Sequence, residues 1–311
     1  MDNALLERAE RAFKGLPVTE VMQRVRAIIG PSAMPSTEQG QLAQQALDAL
    51  RNMQRPTPMQ LSALELVIRL MRPAPLSKAG MLEDVDEDIK PNFNHWPRFR
   101  ELVAPYLYSV GRINLLPNEG VGTGFLVSDS LLVTNKHVLN QLSRGTGVLE
   151  RGQAVVRFRF EYGSTDPGDL DADITGVEAI HETLDIALLR LSPQTMTSGR
   201  RVLELDDAPA AVGQQVAAVG YPFKDSRNPL FVPGIFGADR LGVKRAAVGE
   251  IVKVGAQSVY HDCSTLGGNS GSPLFAMETA RVVGLHCEGF FLYRNEAVDG
   301  ASLRDFVRQH V

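Results

Sequence analysis

Three short segments of the chain each carry a side chain that amide hydrolysis requires. His137 lies in TNKHVL, Asp185 lies in LDIALLRL, and Ser270 lies in STLGGNSGSPLF. A serine hydroxyl is a weak nucleophile near neutral pH, and histidine is a suitable base because its pKa lies near neutrality. A buried carboxylate holds the imidazole in the required tautomer and stabilises its protonated form. The three residues therefore predict a nucleophile, a base and an orienting acid.

The glycine-rich turn before the serine supplies a further requirement of amide hydrolysis. The tetrahedral intermediate carries negative charge on the carbonyl oxygen, and preorganised N–H groups stabilise that charge. Gly267 and Gly268 allow the backbone to turn so that amide groups point inward. The predicted oxyanion hole spans Gly268, Asn269 and Ser270, with the N–H groups of Gly268 and Ser270 as its donors.

Each of these residues also has an ordinary structural interpretation when it is considered alone. A histidine at a strand end is commonly a hydrogen-bonded structural residue, and an aspartate before an apolar strand is commonly a turn or a cap. A Gly-Asn-Ser-Gly sequence is commonly just a loop. Their joint occurrence favours catalysis, because amide hydrolysis needs all three groups. The chain order His, Asp, Ser is that of the trypsin-like class, whereas α/β-hydrolases and subtilisins use other orders.

A resemblance to bacterial trypsin-like serine peptidases extends over four segments, GTGFLVSDSLLVTNKHVL, LDIALLRL, VAAVGYP and GGNSGSPLF. It covers roughly residues 108–311. The resemblance implies two six-stranded β-barrels with the catalytic triad in the cleft between them, protein substrates, and neither a cofactor nor a metal ion. Within this class the chain is most similar to the glutamyl endopeptidases.

The glutamyl endopeptidase resemblance also implies a pocket for the residue before the scissile bond. In that branch a threonine or serine and a histidine bind an acidic side chain, and the matching positions are Thr265 and His286. Ser264 occupies the pocket-floor position, and its lack of charge argues against a preference for lysine or arginine. Glu288 lies close to His286 and argues against an acidic preference. A purely structural role for His286 in an apolar strand stays open.

Asn269, which precedes the predicted nucleophile, bears on activation. In the zymogen-type digestive enzymes of this class an aspartate at that position pairs with a freed N-terminal amine. Asparagine is neutral and does not form that ion pair. We therefore expect control to lie in the N-terminal region or in the long loop at 222–247.

The elements that must position these residues differ between the two halves of the chain. In residues 1–80, apolar residues recur at spacings of three and four, which predicts four short amphipathic helices. Ser36 with Gln39, and Thr57 with Gln60, match the capping-box pattern at helix starts.

The C-terminal half has period-two alternation and glycine-rich turns, which predict short strands in an all-β barrel or sandwich. Residues 81–107 are predicted to form an acidic linker and a lead-in helix, and the last residues a closing helix. The predicted fold class is multidomain α and β. A small helical bundle at 1–80 precedes a two-barrel trypsin-like domain with a C-terminal helix at 108–311.

Composition excludes several other classes of protein. A formal net charge of -4 gives no reason to expect nucleic acid or an anionic membrane as a partner. The N-terminus lacks the apolar core and the cleavage site of a secretory signal, so we expect a cytoplasmic protein. The two cysteines, Cys263 and Cys287, fit a reducing compartment as buried thiols. A disulfide or redox switch stays open, because both lie beside predicted pocket residues.

These observations favour an intracellular serine endopeptidase with a helical regulatory or targeting domain. The alternatives are a binding or scaffold protein of protease fold that lacks activity, and a quality-control protease. Residues 1–80 resemble small helical adaptor modules that are fused to bacterial proteases and caspase-like effectors in defence pathways. That resemblance implies a protein partner for this region, and a stabilising or inhibitory prodomain is the alternative.

Overall fold

The computed structural model describes residues 3–29, 35–85, 87, 90–164, 170–192, 200–223, 236, 240–290 and 294–311. In these residues an N-terminal set of helices precedes two closed β-barrels, and a further helix ends the chain. This architecture confirms the predicted fold class. Most of the predicted control loop, at 224–235 and 237–239, lies outside the described residues.

The described part of the N-terminal region contains four helices, as the apolar spacing predicts. Their bounds are α1 Asn3–Phe13, α2 Val18–Ile29, α3 Thr37–Arg51 and α4 Pro58–Leu70. Both predicted capping boxes form, with Ser36 and Gln39 at the start of α3 and Thr57 and Gln60 at the start of α4. These reciprocal hydrogen bonds satisfy backbone donors that a helix N-terminus otherwise leaves unpaired.

An apolar cluster joins the helices to the barrels. Phe13 of α1 and Leu64 of α4 belong to the same buried cluster as Phe275 in the second barrel. Helix α5, Trp96–Val103, lies in this cluster, and the ring centroids of Phe99 and Phe275 are 6.2 Å apart. The helices therefore share a hydrophobic core with the second barrel.

The segment between the helices and the barrels is packed more tightly than a solvated linker. After α4 the chain pairs with the second barrel, where the N–H groups of Ala246 and Val248 donate to the carbonyls of Pro75 and Pro73. A hairpin follows, with β1 at Ser77–Lys78 and β2 at Met81–Leu82. In the acidic run itself, Asp84 accepts hydrogen bonds from the Trp96 indole and the Lys90 ammonium. Asp84 thus has partners within the fold, Glu87 is exposed, and residues 86, 88 and 89 of the acidic run lie outside the described residues.

The first barrel is a closed antiparallel sheet in the order β3-β4-β5-β8-β7-β6. Its strands are β3 Val110–Leu115, β4 Glu119–Leu126, β5 Leu131–Thr134, β6 Ala154–Arg157, β7 Asp171–Ile180 and β8 Ala187–Leu191. Its interior is apolar, with Ile113, Val156 and Leu189 fully buried. Closure leaves this sheet without exposed edges.

The second barrel is closed in the order β10-β11-β14-β13-β12-β9. Its strands are β9 Gln215–Gly220, β10 Arg245–Val254, β11 Ser258–His261, β12 Pro273–Ala276, β13 Val282–Phe290 and β14 Arg294–Asp299. The closing helix, α7 Gly300–Arg308, begins at Asp299, whose carboxylate accepts hydrogen bonds from two backbone N–H groups. None of the helices in the described residues has both the length and the apolar character needed to cross a membrane.

Candidate active site

The predicted base lies at the start of a short helix. Strand β5 ends at Thr134, and helix α6, Lys136–Leu142, begins two residues later, so His137 lies in its first turn. Buried apolar residues on one face of α6 fix the helix to the first barrel. Asn135, at the N-cap, donates from its side chain to the backbone carbonyl of Asp185 at 2.9 Å. This contact ties the histidine segment to the aspartate segment.

His137 and Asp185 are joined by two hydrogen bonds. The imidazole Nδ1 lies 2.7 Å from one carboxylate oxygen of Asp185, and the backbone N–H of His137 donates to the other at 3.0 Å. Burial tends to raise the pKa of Asp185, but the hydrogen bonds and charge of His137 outweigh burial and keep that pKa below its usual value. An ionised Asp185 holds the hydrogen of a neutral imidazole on Nδ1, which leaves Nε2 as the basic atom.

Ser270 lies in a turn whose backbone is fixed by the first barrel. The Thr123 N–H donates to the Ser270 carbonyl at 2.8 Å. The next residue, Gly271, has φ of +87°, and a Cβ atom there would lie 1.9 Å from the Thr123 carbonyl oxygen. Among the residues that the structure describes, the Ser270 hydroxyl donates to the Cys287 carbonyl at 3.1 Å. Because a hydroxyl has one hydrogen, it must leave this carbonyl before it can donate to another acceptor.

The orientation of the peptide between Gly267 and Gly268 is fixed by a hydrogen bond to Phe223. The Gly267 carbonyl accepts a hydrogen bond from the Phe223 N–H at 2.6 Å. Because the C=O and N–H of a trans peptide point in opposite directions, the Gly268 N–H points away from Phe223. Gly268 has φ of +89°, and a Cβ atom there would lie 2.4 Å from the Tyr221 carbonyl oxygen. This position therefore requires glycine.

Asn269 lies between the two predicted donors of the oxyanion hole. Its backbone N–H donates to the Leu266 carbonyl at 3.2 Å, so this amide is already used within the turn. Within the described part of the chain, the N–H groups of Gly268 and Ser270 make no backbone hydrogen bond. The two flanking amides are the ones available to a substrate carbonyl.

The predicted triad residues lie in one cleft, which is lined by residues of both barrels. His137 and Asp185 lie on the side of the first barrel, and Gly268 and Ser270 on the side of the second. Thr265 and His286 line the same cleft. In the described residues no cluster of three or more His, Cys, Asp or Glu side chains is arranged to hold a metal ion.

Two residues beside Thr265 were not indicated by the sequence: Gly289 lines the cleft, and Asn295 is buried. The Thr265 hydroxyl donates to the side-chain oxygen of Asn295 at 3.0 Å, and Asn295 also donates to the Cys263 carbonyl. Gly289 lies at the same wall, where a Cβ atom would be 2.6 Å from Asn295 and 3.1 Å from the Thr265 hydroxyl. The glycine keeps the pocket open beside the threonine. No sequence pattern pointed to Asn295, because its strand β14 lies 25 residues beyond the nucleophile and has no motif of its own.

His286 is almost completely buried and contacts a second histidine. Its Nδ1 lies 3.1 Å from Nε2 of His261, and its side chain is 2% exposed. Burial, with a smaller contribution from the charge of His137, lowers the pKa of His286 to about 3. Burial also lowers the pKa of His261 well below its usual value. At neutral pH the imidazole of His286 is therefore uncharged.

Ser264 does not line the cleft, which corrects its predicted place at the pocket floor. Its hydroxyl donates to the Arg72 carbonyl at 3.1 Å, just beyond the end of helix α4. Neighbouring side chains in an extended segment point to opposite sides. Because Thr265 faces the cleft, Ser264 faces the N-terminal helices.

Two carboxylates lie at the side of the cleft. Glu288 on β13 and Glu296 on β14 are cross-strand partners, and both line the cleft. Glu288 is exposed and Glu296 is half-buried. Neither carboxylate has an ion-pair partner in the portion of the chain that the structure describes. This part of the cleft is therefore negative.

Cys263 and Cys287 are both free thiols rather than a disulfide. Cys263 is buried and Cys287 is half-buried. Burial raises the pKa of both thiols, so both are protonated at neutral pH. Cys287 lines the cleft, whereas Cys263 belongs to a buried apolar cluster of the second barrel.

Comparison with known families gives a direct match for the barrel region. The model of the trypsin-like peptidase domain matches residues 122–285, which include His137, Asp185 and Ser270. The match also includes Thr265 and ends at Leu285, one residue before His286.

The chain is also similar to curated bacterial proteins. It is 26% identical over 200 residues to a glutamyl endopeptidase of Staphylococcus epidermidis, covering 60% of each chain. It is 24% identical over 200 residues to a glutamyl endopeptidase of Staphylococcus aureus, covering 61% of this chain and 54% of that one. The chain thus spans 54–60% of the length of these relatives. Among solved structures, a serine endoprotease from Yersinia pestis is 17% identical with a TM-score of 0.49, covering 68% of this chain and 65% of that chain.

Proposed function

The chain belongs to the trypsin-like peptidase family, and we propose that it is a serine endopeptidase that hydrolyses peptide bonds within protein substrates. The observation that supports this proposal most strongly is the 2.7 Å contact between His137 and Asp185 in the cleft that also contains Ser270. The amides of Gly268 and Ser270 add the donors that a tetrahedral intermediate needs.

The proposed reaction proceeds through an acyl-enzyme. Ser270 Oγ bonds to the substrate carbonyl carbon while Nε2 of His137 takes the hydroxyl proton, and Asp185 stabilises the imidazolium. The negative oxygen accepts hydrogen bonds from the N–H groups of Gly268 and Ser270. His137 then gives its proton to the leaving amine as the C–N bond breaks. Water attacks the ester by the same route, which releases the acid and restores the serine.

We propose a preference for glutamate or aspartate before the scissile bond. Thr265 and His286 in the pocket support this preference, as does the similarity to proteins named glutamyl endopeptidases. An entering carboxylate raises the pKa of a neighbouring imidazole, because the charged form gains an opposite charge. Glu288 and Glu296 carry the same charge as the substrate carboxylate and repel it. The strength of the preference therefore depends on the distance between the bound carboxylate and these two glutamates. Glutamine, which is neutral and of similar shape, is the informative competitor.

We also propose that the N-terminal helices regulate this activity or bind a protein partner, in a bacterial defence or signalling pathway within the cytoplasm. The resemblance of residues 1–80 to helical adaptor modules supports a role in a defence or signalling pathway. The low cysteine content supports a location in the reducing cytoplasm.

A fluorophosphonate probe tests the proposed activity, because it reacts with an activated serine. We expect covalent labelling of the folded protein at Ser270 and its loss in Ser270→Ala. Asp185→Asn should slow labelling by about four orders of magnitude, because the imidazole loses its required tautomer. Absence of labelling in the folded wild-type protein would instead support a catalytically silent scaffold.

A further inference from the structure

Charged side chains are buried between the N-terminal helices and the second barrel. Each is at most 8% exposed, and the group consists of Arg8, Glu65, Arg69, Arg72, Glu250 and Asp262. Burial of a charge is costly unless it is paired and hydrogen-bonded. The hydrogen bonds between these charged side chains therefore show where the N-terminal helices are attached to the second barrel.

Asp262 is the centre of this group. Its carboxylate accepts hydrogen bonds from Arg8 at 3.0 Å and from Arg72 at 2.8 Å and 3.1 Å. The backbone N–H of Glu250 donates to its other oxygen at 2.7 Å. Burial tends to raise the pKa of Asp262, but the guanidinium groups of Arg72 and Arg8 hold that pKa well below its usual value. Two arginines of the helical region thus hold an ionised carboxylate of the barrel.

The arginines are themselves held within the helical region and the barrel. Arg8 of α1 donates to both carboxylate oxygens of Glu65 on α4, at 2.9 Å and 3.1 Å. Arg72 also donates to Glu250 on β10 at 3.0 Å. The planar guanidinium group suits such multiple contacts, which fix direction as well as distance.

The segment from His261 to Thr265 connects this charged group to the substrate pocket. Asp262 and Ser264 face the helices, where they contact Arg8, Arg72 and backbone carbonyls at the end of α4. His261 contacts His286, and Thr265 lines the cleft. One side of the segment is thus held by the helices while the other side forms the pocket.

The residue before the predicted nucleophile is Asn269, not the aspartate that pairs with a freed N-terminal amine in the zymogen-type enzymes of this class. Asn269 is neutral, and its side chain donates to the Leu266 carbonyl within the same turn. Other contacts order the neighbouring segment, and among the described residues Arg8 and Arg72 are the arginines that bind its carboxylate, Asp262.

We propose that Arg8 and Arg72 are positioning residues for the substrate pocket, acting through Asp262 and Ser264. This inference rests on the proposed peptidase function for its effect on turnover. The pocket is complete when the helices are docked on the second barrel, so the helical region is a structural part of the protease site.

Substitution of Arg72 tests this proposal. Arg72→Ala should lower kcat/KM for a peptide with glutamate before the scissile bond by about 100-fold, mainly through KM, because misplacement of about 1 Å has effects of that size. Arg51→Ala is the matched control, because Arg51 pairs with Glu10 at 2.7 Å within the helical region. We expect its kcat/KM to stay within about twofold of wild type.

Two milder variants cover the case in which Arg72→Ala does not fold. Arg72→Lys keeps the charge, and Ser264→Ala removes only the hydroxyl. Each should raise KM by about 10-fold with kcat little changed, since both lose contacts that orient the segment. A KM equal to that of Arg51→Ala in both folded variants would overturn the proposal.

Amide hydrogen exchange of residues 261–268 provides a readout that does not need catalysis. Exchange in this segment should be at least about 10-fold faster in Arg72→Lys than in Arg51→Ala, because exchange reports local opening. Equal exchange in the two variants would contradict the positioning role. A wild-type protein that does not cleave or label would contradict the proposed function, while the exchange result would still decide the positioning role.

Discussion

His286 and His261 meet edge to face inside the second barrel, with Nδ1 of the first 3.1 Å from Nε2 of the second. A hydrogen bond at this distance needs one donor and one acceptor, so it favours two neutral imidazoles over two protonated ones. Strands β11 and β13 each contribute one ring, and β14 lies between them in the sheet. The two imidazoles are therefore held by two strands of one closed sheet.

Burial of His286 predicts a loss of stability in acid. Its pKa is about 3 in the folded protein, below the unfolded value of about 6.5. Between these values the unfolded chain binds more protons, so the free energy of unfolding falls as pH falls from about 6.5 towards 3. Urea unfolding at a series of pH values measures this slope. His286→Gln should reduce the proton uptake on unfolding near pH 4.5 by about one, whereas an unchanged uptake would contradict the burial argument.

The glycine before Asn269 predicts a large and specific loss of activity. In Gly268→Ala, the new methyl group would lie 2.4 Å from the Tyr221 carbonyl oxygen, so the oxyanion peptide must shift. We expect kcat to fall by about 100- to 1000-fold, as for loss of one oxyanion donor. Gly145→Ala is a matched control, because Gly145 has φ of +84° and nothing lies within 4 Å of the added atom. Steady-state kinetics should show near-normal kcat for that control, and an equal loss in both variants would contradict the assignment.

The cross-strand pair of carboxylates predicts a charge effect on substrate choice. Glu288→Gln and Glu296→Gln should each raise kcat/KM for a peptide with glutamate before the scissile bond by about two- to fivefold at low salt. The gain should shrink at high salt, and the matched glutamine peptide should respond little. Glu150→Gln, at an exposed residue outside the cleft, is the control. A gain of the same size for the glutamine peptide would argue against an electrostatic cause.

Local signals in the sequence predicted much of the fold. The capping boxes at Ser36 and Thr57 set the starts of two helices, because the hydrogen bonds involve residues only three positions apart. Period-two alternation indicated strands, and the His, Asp, Ser order indicated which cleft to expect. The three candidate residues could be selected because the chemistry of amide hydrolysis demands particular residue types.

The pocket was less predictable, because it depends on contacts between distant parts of the chain. Ser264 points to the helices because the backbone at Arg72 is there to accept its hydrogen bond, 192 residues earlier in the sequence. Asn295 comes to lie beside Gly289 through the pairing of β14 with β13, and there it accepts a hydrogen bond from Thr265. The docking of Arg8 and Arg72 on Asp262 likewise follows from burial across the interface, and no local pattern in the sequence reports it.

Cleavage of a proteome-derived peptide library by the wild-type protein and by Ser270→Ala tests the central claim most directly. The expected result is a set of new N-termini that depends on Ser270, with glutamate or aspartate enriched before the cleaved bond. Identical peptide populations after incubation with folded wild-type protein and with Ser270→Ala would contradict the assignment of this chain as a serine endopeptidase.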